Sequence, residues 1–246
     1  MNWMVFGRHA ASRRPCLHAG RLLPSMIGLS ETEVALRFRD CLTGETGTQG
    51  IQRADGFVFC MSEKNSAEAC GAYARSRAKI IAPCEFILIH CNSYVDGYWT
   101  DITRTYFLGR PDSRQLSIYD AILQARQATL KSIRPGVKAA DVDRAARQAL
   151  KTKGFEKEFR HSTGHGVGFD AIDANARPRL HPKSEDILQP GMVFNVEPAI
   201  YIEGYGGVRH CDMVAVSATG AQLLTPFHST LQELVLPAQF PGKLSA

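Results

Sequence analysis

ILIHCNSYVDGYWTDITRTYFLG, residues Ile87 to Gly109, is a run of β-branched and aromatic residues interrupted once, at Asp96-Gly97. An Asp-Gly pair between alternating runs is a strong short-range hairpin signal, because both residues tolerate the left-handed backbone that a tight turn needs. A turn symmetric about Val95 and Asp96 sets His90 opposite Asp101, with both side chains on one face of the ribbon. An imidazole then meets a carboxylate.

The same device recurs in GMVFNVEPAIYIEGYGGVRHCDMVAV, Gly191 to Val216. With the turn in Glu203-Gly204-Tyr205-Gly206, Glu197 stands opposite Cys211. Alternation then puts Arg209 on the Cys211 face and His210 on the other. Between the ribbons lies HSTGHGVGFDAID, His161 to Asp173, whose small residues let backbone and ligand approach closely. Its bulk is in His161 and His165.

GYWTDITRT, STGHGVG and GMVFNVEPAIYI, in that order, resemble the successive metal-site motifs of the creatinase/aminopeptidase family. That family includes methionine aminopeptidase, Xaa-Pro aminopeptidase and prolidase, and the resemblance, spanning Leu29 to Leu236, is nearest the Xaa-Pro branch. It implies an α+β pita-bread fold, a pseudo-twofold curved antiparallel sheet backed by helices. It also implies a two-metal site built from two Asp, a His and two Glu. Here Asp101, His165 and Glu197 fill three of those positions, while His90 stands at the first Asp and Cys211 at the last Glu. Ile172 replaces a proton-handling His, and Cys70 falls near the place of a second. His161, Tyr201 and Arg209 match residues that the family uses around its substrate.

The donor set argues for one metal. Two divalent cations bring about four positive charges into a small site, whereas Asp101, Glu197 and an ionised Cys211 supply three negative ones at best. A mixed His, Cys and carboxylate environment suits zinc or iron, with manganese or cobalt as further candidates. The expected centre is therefore His90, Asp101, His165, Glu197 and Cys211, with one position left for water. Taken singly, His90 reads as readily as a hydrogen-bonded strand histidine, and Cys211 as a small buried hydrophobe. Opposed to Asp101 and Glu197 they make a shared polar site, because unpaired buried carboxylates are costly.

Composition bounds the rest. The chain has 246 residues, 44% hydrophobic and 22% charged, enough for one large domain with a full core. A formal net charge of +5 is mild, and no Lys/Arg cluster interleaved with aromatics marks a nucleic-acid groove. No apolar run reaches the ~18 residues of a membrane span. Seven scattered cysteines form no ribbon spacing and no obvious disulfide framework, which fits a reducing, cytoplasmic setting. Residues 1–26 carry Arg8, Arg13, Arg14 and Arg21 without an acidic residue and are read as a basic helical segment. Residues 27–237 form the catalytic-type domain and 238–246 a tail, leaving no room for the separate N-terminal domain of Xaa-Pro aminopeptidases.

Ser30-Glu31-Thr32-Glu33 is a capping box ahead of Val34, Phe38, Cys41 and Leu42 at helical spacing. A second helix opens near Ala140-Asp141 with Val142, Ala146, Ala149 and Leu150. At an offset of 108 residues (142 less 34) Val34 meets Val142, Arg39 meets Arg147 and Leu42 meets Leu150, hinting at internal duplication. Phe57 to Cys60 is a short strand, MSEKNSAEACGAYARSR a turn-rich entrance, Leu116 to Ile133 a long helix, and Arg177 to Lys183 a basic loop. The reading is an Xaa-Pro aminopeptidase-like hydrolase of small peptides or amides, acting through a single metal-bound water. Glu197 or a nearby acid takes the proton, His161 donates to the developing oxyanion, and Arg209 orients a carboxylate. Two alternatives stay open: a metal-independent, creatinase-like amidinohydrolase and a non-catalytic binding domain. Related proteins suggest a homodimer.

Overall fold

The computed structural model describes residues 26–44, 46–47, 50–71, 75–169, 176–227 and 229–238. The basic N-terminal segment up to residue 25, Cys16, Ile172 and the last eight residues lie outside them. The first half opens with helix α1 (Glu31–Thr43). Its expected capping box is present: the Ser30 N–H donates to Glu33 Oε2 at 2.8 Å, and the Glu33 N–H donates to Ser30 Oγ at 3.2 Å. Val34 and Phe38 are buried in the main core.

Strand β1 (Ala54–Ser62) leads into a 3-10 helix (Glu63–Cys70), then β2 (Phe86–Val95) and β3 (Tyr98–Leu108). β1 is longer than its apolar kernel Phe57 to Cys60 because every residue from Ala54 to Ser62 finds a partner on β2. The β2–β3 ribbon corrects the sequence register by two residues. Val95 pairs with Tyr98, so His90 faces Thr103 and Asp101 faces Asn92. The cause is local: Asp96 and Gly97 both take positive φ, 50° and 92°, so these two residues form the whole turn. A shift of two preserves the face, and His90 and Asp101 remain on the same side as diagonal neighbours.

The second half repeats the plan. Helix α2 (Ser113–Ser132) begins before Leu116, capped by Asp112 and Gln115 in reciprocal bonds, and α3 (Ala139–Thr152) follows. Then come β4 (Gly164–His165), β5 (Arg179–Leu180), β6 (Val193–Val196), β7 (Ala199–Ile202), β8 (Gly206–Arg209), β9 (Asp212–Val216) and β10 (Ala221–Leu223). A short α4 (Leu231–Leu234) ends in β11 (Val235–Leu236), which lies parallel to β3. β6 pairs with β9 and β7 with β8 in one continuous register, interrupted at Glu197-Pro198 and His210-Cys211. Among the described residues no helix is long and apolar enough to cross a membrane.

An offset of about 108 recurs in the structure. Glu31 opens α1 and Ala139, at 31 plus 108, opens α3. The isolated bridges Ser30–Ile80 and Lys138–Ile187 tie down the starts of those helices in the same way. Thr103 and Cys211, themselves 108 apart (211 less 103), form a bridge in which each N–H donates to the other's carbonyl, at 3.3 and 3.0 Å. A residue paired with its own counterpart sits on the symmetry axis, so the pseudo-twofold passes between Thr103 and Cys211. The halves are locked nearby by Asp212, whose carboxylate accepts from Arg104 of β3 at 2.6 Å and from Arg126 of α2 at 2.5 Å.

Candidate metal centre

Five side chains converge on this axis. His90 comes from β2, Asp101 from β3, His165 from β4, Glu197 from the break between β6 and β7, and Cys211 from the break between β8 and β9. Asp101 is their hub. Its Oδ1 lies 3.7 Å from His90 Nδ1 and 3.4 Å from Cys211 Sγ, and its Oδ2 lies 3.5 Å from His165 Nε2. One donor atom each from Asp101, Glu197 and Cys211 fall within 4.8 Å of one another; His90 and His165, the other two expected donors, stand beside Asp101 and outside that group. The glycine-lined segment is pressed against β6, since a Cβ on Gly164 would meet the Asn195 carbonyl oxygen at 2.0 Å. That contact lets the His165 N–H donate to Asn195 Oδ1 at 2.6 Å and leaves the Asn195 amide nitrogen 3.1 Å from His165 Nε2, a contact that is a hydrogen bond only while that ring nitrogen carries no proton.

A cavity of about 420 Å³ opens onto the centre. One wall is apolar, with Phe57, Phe59, Met61 and Leu88; the other carries His90, Asp101, His165, Glu197 and Arg209. The turn-rich entrance of the sequence reading is the 3-10 helix and its exit, and it brings Ala69, Cys70 and Arg75 to the cavity wall. Cys211 is fully buried beneath the site. His161 lines the cavity but is engaged on both nitrogens, by the Ser162 carbonyl at 2.7 Å and by the Tyr201 hydroxyl at 3.0 Å. As it stands the ring is not free to donate to an oxyanion, because its protons and lone pairs are already spent on those neighbours. Arg209 donates through Nε to Thr103 Oγ1 at 3.0 Å and lies 4.0 Å from Glu197 Oε2.

Burial and neighbouring charges divide the titrations. Burial, reinforced by Arg209, pulls His90 and His161 each down to about 4, so both are neutral at pH 7. Burial pushes Asp101 up, but His90 and His165 outweigh it and hold the carboxylate well below its ordinary range. Burial also pulls His165 down; the Asp101 hydrogen bond and the Glu197 charge more than reverse this and raise it to about 9. His165 is therefore the cation of a buried ion pair. Glu197 rises to about 7 through burial and the nearby Asp101, and burial with the same carboxylates pushes the Cys211 thiol up.

The donor set fits a single divalent cation. Two carboxylates and a thiol already stand within one coordination sphere of a common point; burial and the carboxylates favour the protonated thiol in the metal-free protein, and a bound cation would favour the thiolate. His165 presents Nε2 to the same carboxylate. His90 is held differently: its Nδ1 is 2.9 Å from Thr103 Oγ1, so a cation would compete with that hydroxyl for the ring. Thr103 and Asn195 are parts of the site that sequence reasoning missed. Alternation alone places Thr103 on the Asp101 face, whereas nothing local distinguishes Asn195.

Known peptidases resemble the chain along most of its length. The profile of metallopeptidase family M24 matches residues 9–218. A putative dipeptidase of Bacillus subtilis is 32% identical over 204 residues, covering 83% of this chain and 53% of that one. The dipeptidase PepE structure from Mycobacterium ulcerans superposes with a TM-score of 0.81 at 29% identity, covering 93% of this chain and 59% of that chain. A Xaa-Pro dipeptidase from Bacillus anthracis gives 0.80 at 30% identity, covering 92% and 61%. The chain spans about half the length of the curated relatives it matches.

Proposed function

Because the chain belongs to metallopeptidase family M24, we propose that it hydrolyses small peptides or amides, Xaa-Pro dipeptides first, with one divalent transition metal held among Asp101, Glu197, His165 and Cys211. His90 is the fifth, weaker donor. The observation that carries this reading is the mutual approach of the Asp101, Glu197 and Cys211 donor atoms within 4.8 Å at the foot of a dipeptide-sized cavity. Solved relatives described as Xaa-Pro dipeptidases support the substrate class. A metal there would polarise the scissile carbonyl and lower the pKa of an attacking water.

The chain's own residues supply the rest. Glu197, one of the three donors that meet at the foot of the cavity, takes the proton from the attacking water and returns it to the leaving amine. Arg209 stays cationic beside Glu197 and keeps that carboxylate from being lost wholly to protonation. Tyr201 accepts from Arg209 at 3.4 Å and approaches His161 at 3.0 Å, so from beneath the cavity it holds in place the two side chains that line it and orient the substrate. Phe57 and Phe59 exclude water on the opposite side.

A panel of Xaa-Pro dipeptides and small amides, assayed with zinc, iron, manganese, cobalt or none, tests the proposal. Turnover that requires metal and is lost in Asp101→Ala and His165→Ala is expected. Turnover that survives saturating chelator points instead to the acid-base chemistry of the creatinase-like alternative, for which the Asp101–His165 ion pair and Glu197 already provide the groups. No turnover on any member, with the metal bound, contradicts the peptidase reading.

A further inference from the structure

Asn92 carries the most conspicuous anomaly outside the donor set. It is fully buried, and among the described residues neither its amide oxygen nor its amide nitrogen makes a well-formed hydrogen bond, although the amide lies close enough to the His90 ring to favour its charged form. A buried amide left so costs on the order of 1–3 kcal/mol per unsatisfied group, so its retention asks for a compensating role. Its position is fixed by register. Asn92 pairs with Phe57 of β1 on one side and Asp101 of β3 on the other, a row of three side chains on one face of the sheet. Both row-mates line the cavity, and His90, two residues before Asn92 on the same strand, shares that face. The strand cannot retreat, because β1 and β2 touch here: a Cβ on Gly56 would meet the Asn92 carbonyl oxygen at 2.2 Å.

Resting on the single-metal reading, we propose that Asn92 is a positioning residue for the metal ligands Asp101 and His90. With a cation drawn between those ligands, the Asn92 Nδ2–H donates to the Asp101 carboxylate and the loose approach of its Oδ1 to the His90 imidazole tightens into a full hydrogen bond, so the amide is fully satisfied only in the loaded protein. The amide acts through Asp101 and His90, not on the substrate. It also offsets the release of His90 from Thr103, whose hydroxyl competes for the same ring nitrogen. The metal-free fold therefore carries a destabilising group for the sake of the loaded one.

This predicts opposite effects on stability and on binding. In Asn92→Leu, close to the same size and without polar atoms, the metal-free protein should melt at the same temperature or about 2–4 °C higher. Its zinc affinity, measured by competition with a chromophoric chelator, should fall about 10- to 100-fold, the usual effect of losing a residue that orients metal ligands. Asn92→Ala should lose affinity similarly. Wild-type affinity in both variants overturns the inference, as does a fall in metal-free melting temperature parallel to the loss of affinity, which would make Asn92 a packing residue. Absence of zinc binding by the wild-type protein would sink the metal reading itself, an outcome seen before any variant is made.

Discussion

His165 shows how one side chain reports on the whole centre. Its pKa is raised to about 9 by Asp101 and Glu197, against an ordinary value near 6.5. A group whose folded pKa is raised contributes stability that is full below the unfolded value and lost as pH climbs through the folded one. The metal-free protein should accordingly lose stability on the order of 3 kcal/mol between about pH 6.5 and about pH 9. Glu197 is raised likewise and acts in the same direction at lower pH. Melting curves across that window should slope downward for the wild type and flatten in His165→Gln. A flat wild-type profile would mean that the ion pair with Asp101 is absent in solution. At this scale the sequence already marks the residues of the proposed centre: alternation brings out His90, Asp101, Glu197 and Cys211, and motif resemblance adds His165. Asn92 and Asn195 were not, because an amide on a strand looks the same in sequence whether it faces a ligand, a loop or nothing.

At the scale of the element, the hairpins and the glycine-lined segment do the positioning. The first hairpin shows where sequence reading stops. Asp96-Gly97 located the turn, but which two residues form the loop decides the register, and the step from a loop centred on Val95-Asp96 to one made of Asp96-Gly97 moved the partner of Asp101 from His90 to Asn92. The face survived because the slip was even. The 3-10 helix was read only as turns, for its polar, small-residue sequence has no helical stripe to detect. Gly164 is a second dependency. Adding a methyl group there drives it into β6 at 2.0 Å from a backbone oxygen, which cannot move aside without shifting the strand that leads to Glu197. Gly164→Ala should therefore lower the melting temperature and weaken metal binding together. Unchanged values for both would show that the His165 segment is not pinned as described.

At the scale of the molecule, the site lies where two related halves meet. The axis passes between Thr103 and Cys211, and no single half holds the full donor set: His90 and Asp101 come from the first, and His165, Glu197 and Cys211 from the second. The duplication was visible in sequence as an offset between helices; its axis was not, because it needs the bridge between β3 and the start of β9. Asp212 is the lock beside that bridge, fully buried between Arg104 and Arg126. Removing one member of such a cluster leaves uncompensated buried charge, so Asp212→Asn should cost about 3–5 kcal/mol in chemical denaturation. A loss within experimental error of zero would mean that the halves are held by apolar packing alone.

The single cation at this interface is the claim on which the rest depends. Equilibrium dialysis of the metal-free protein against zinc, with bound metal counted by atomic emission, measures it directly. One equivalent per chain, abolished by Asp101→Ala, is the predicted result; two equivalents, or well under one at saturating zinc, would contradict it.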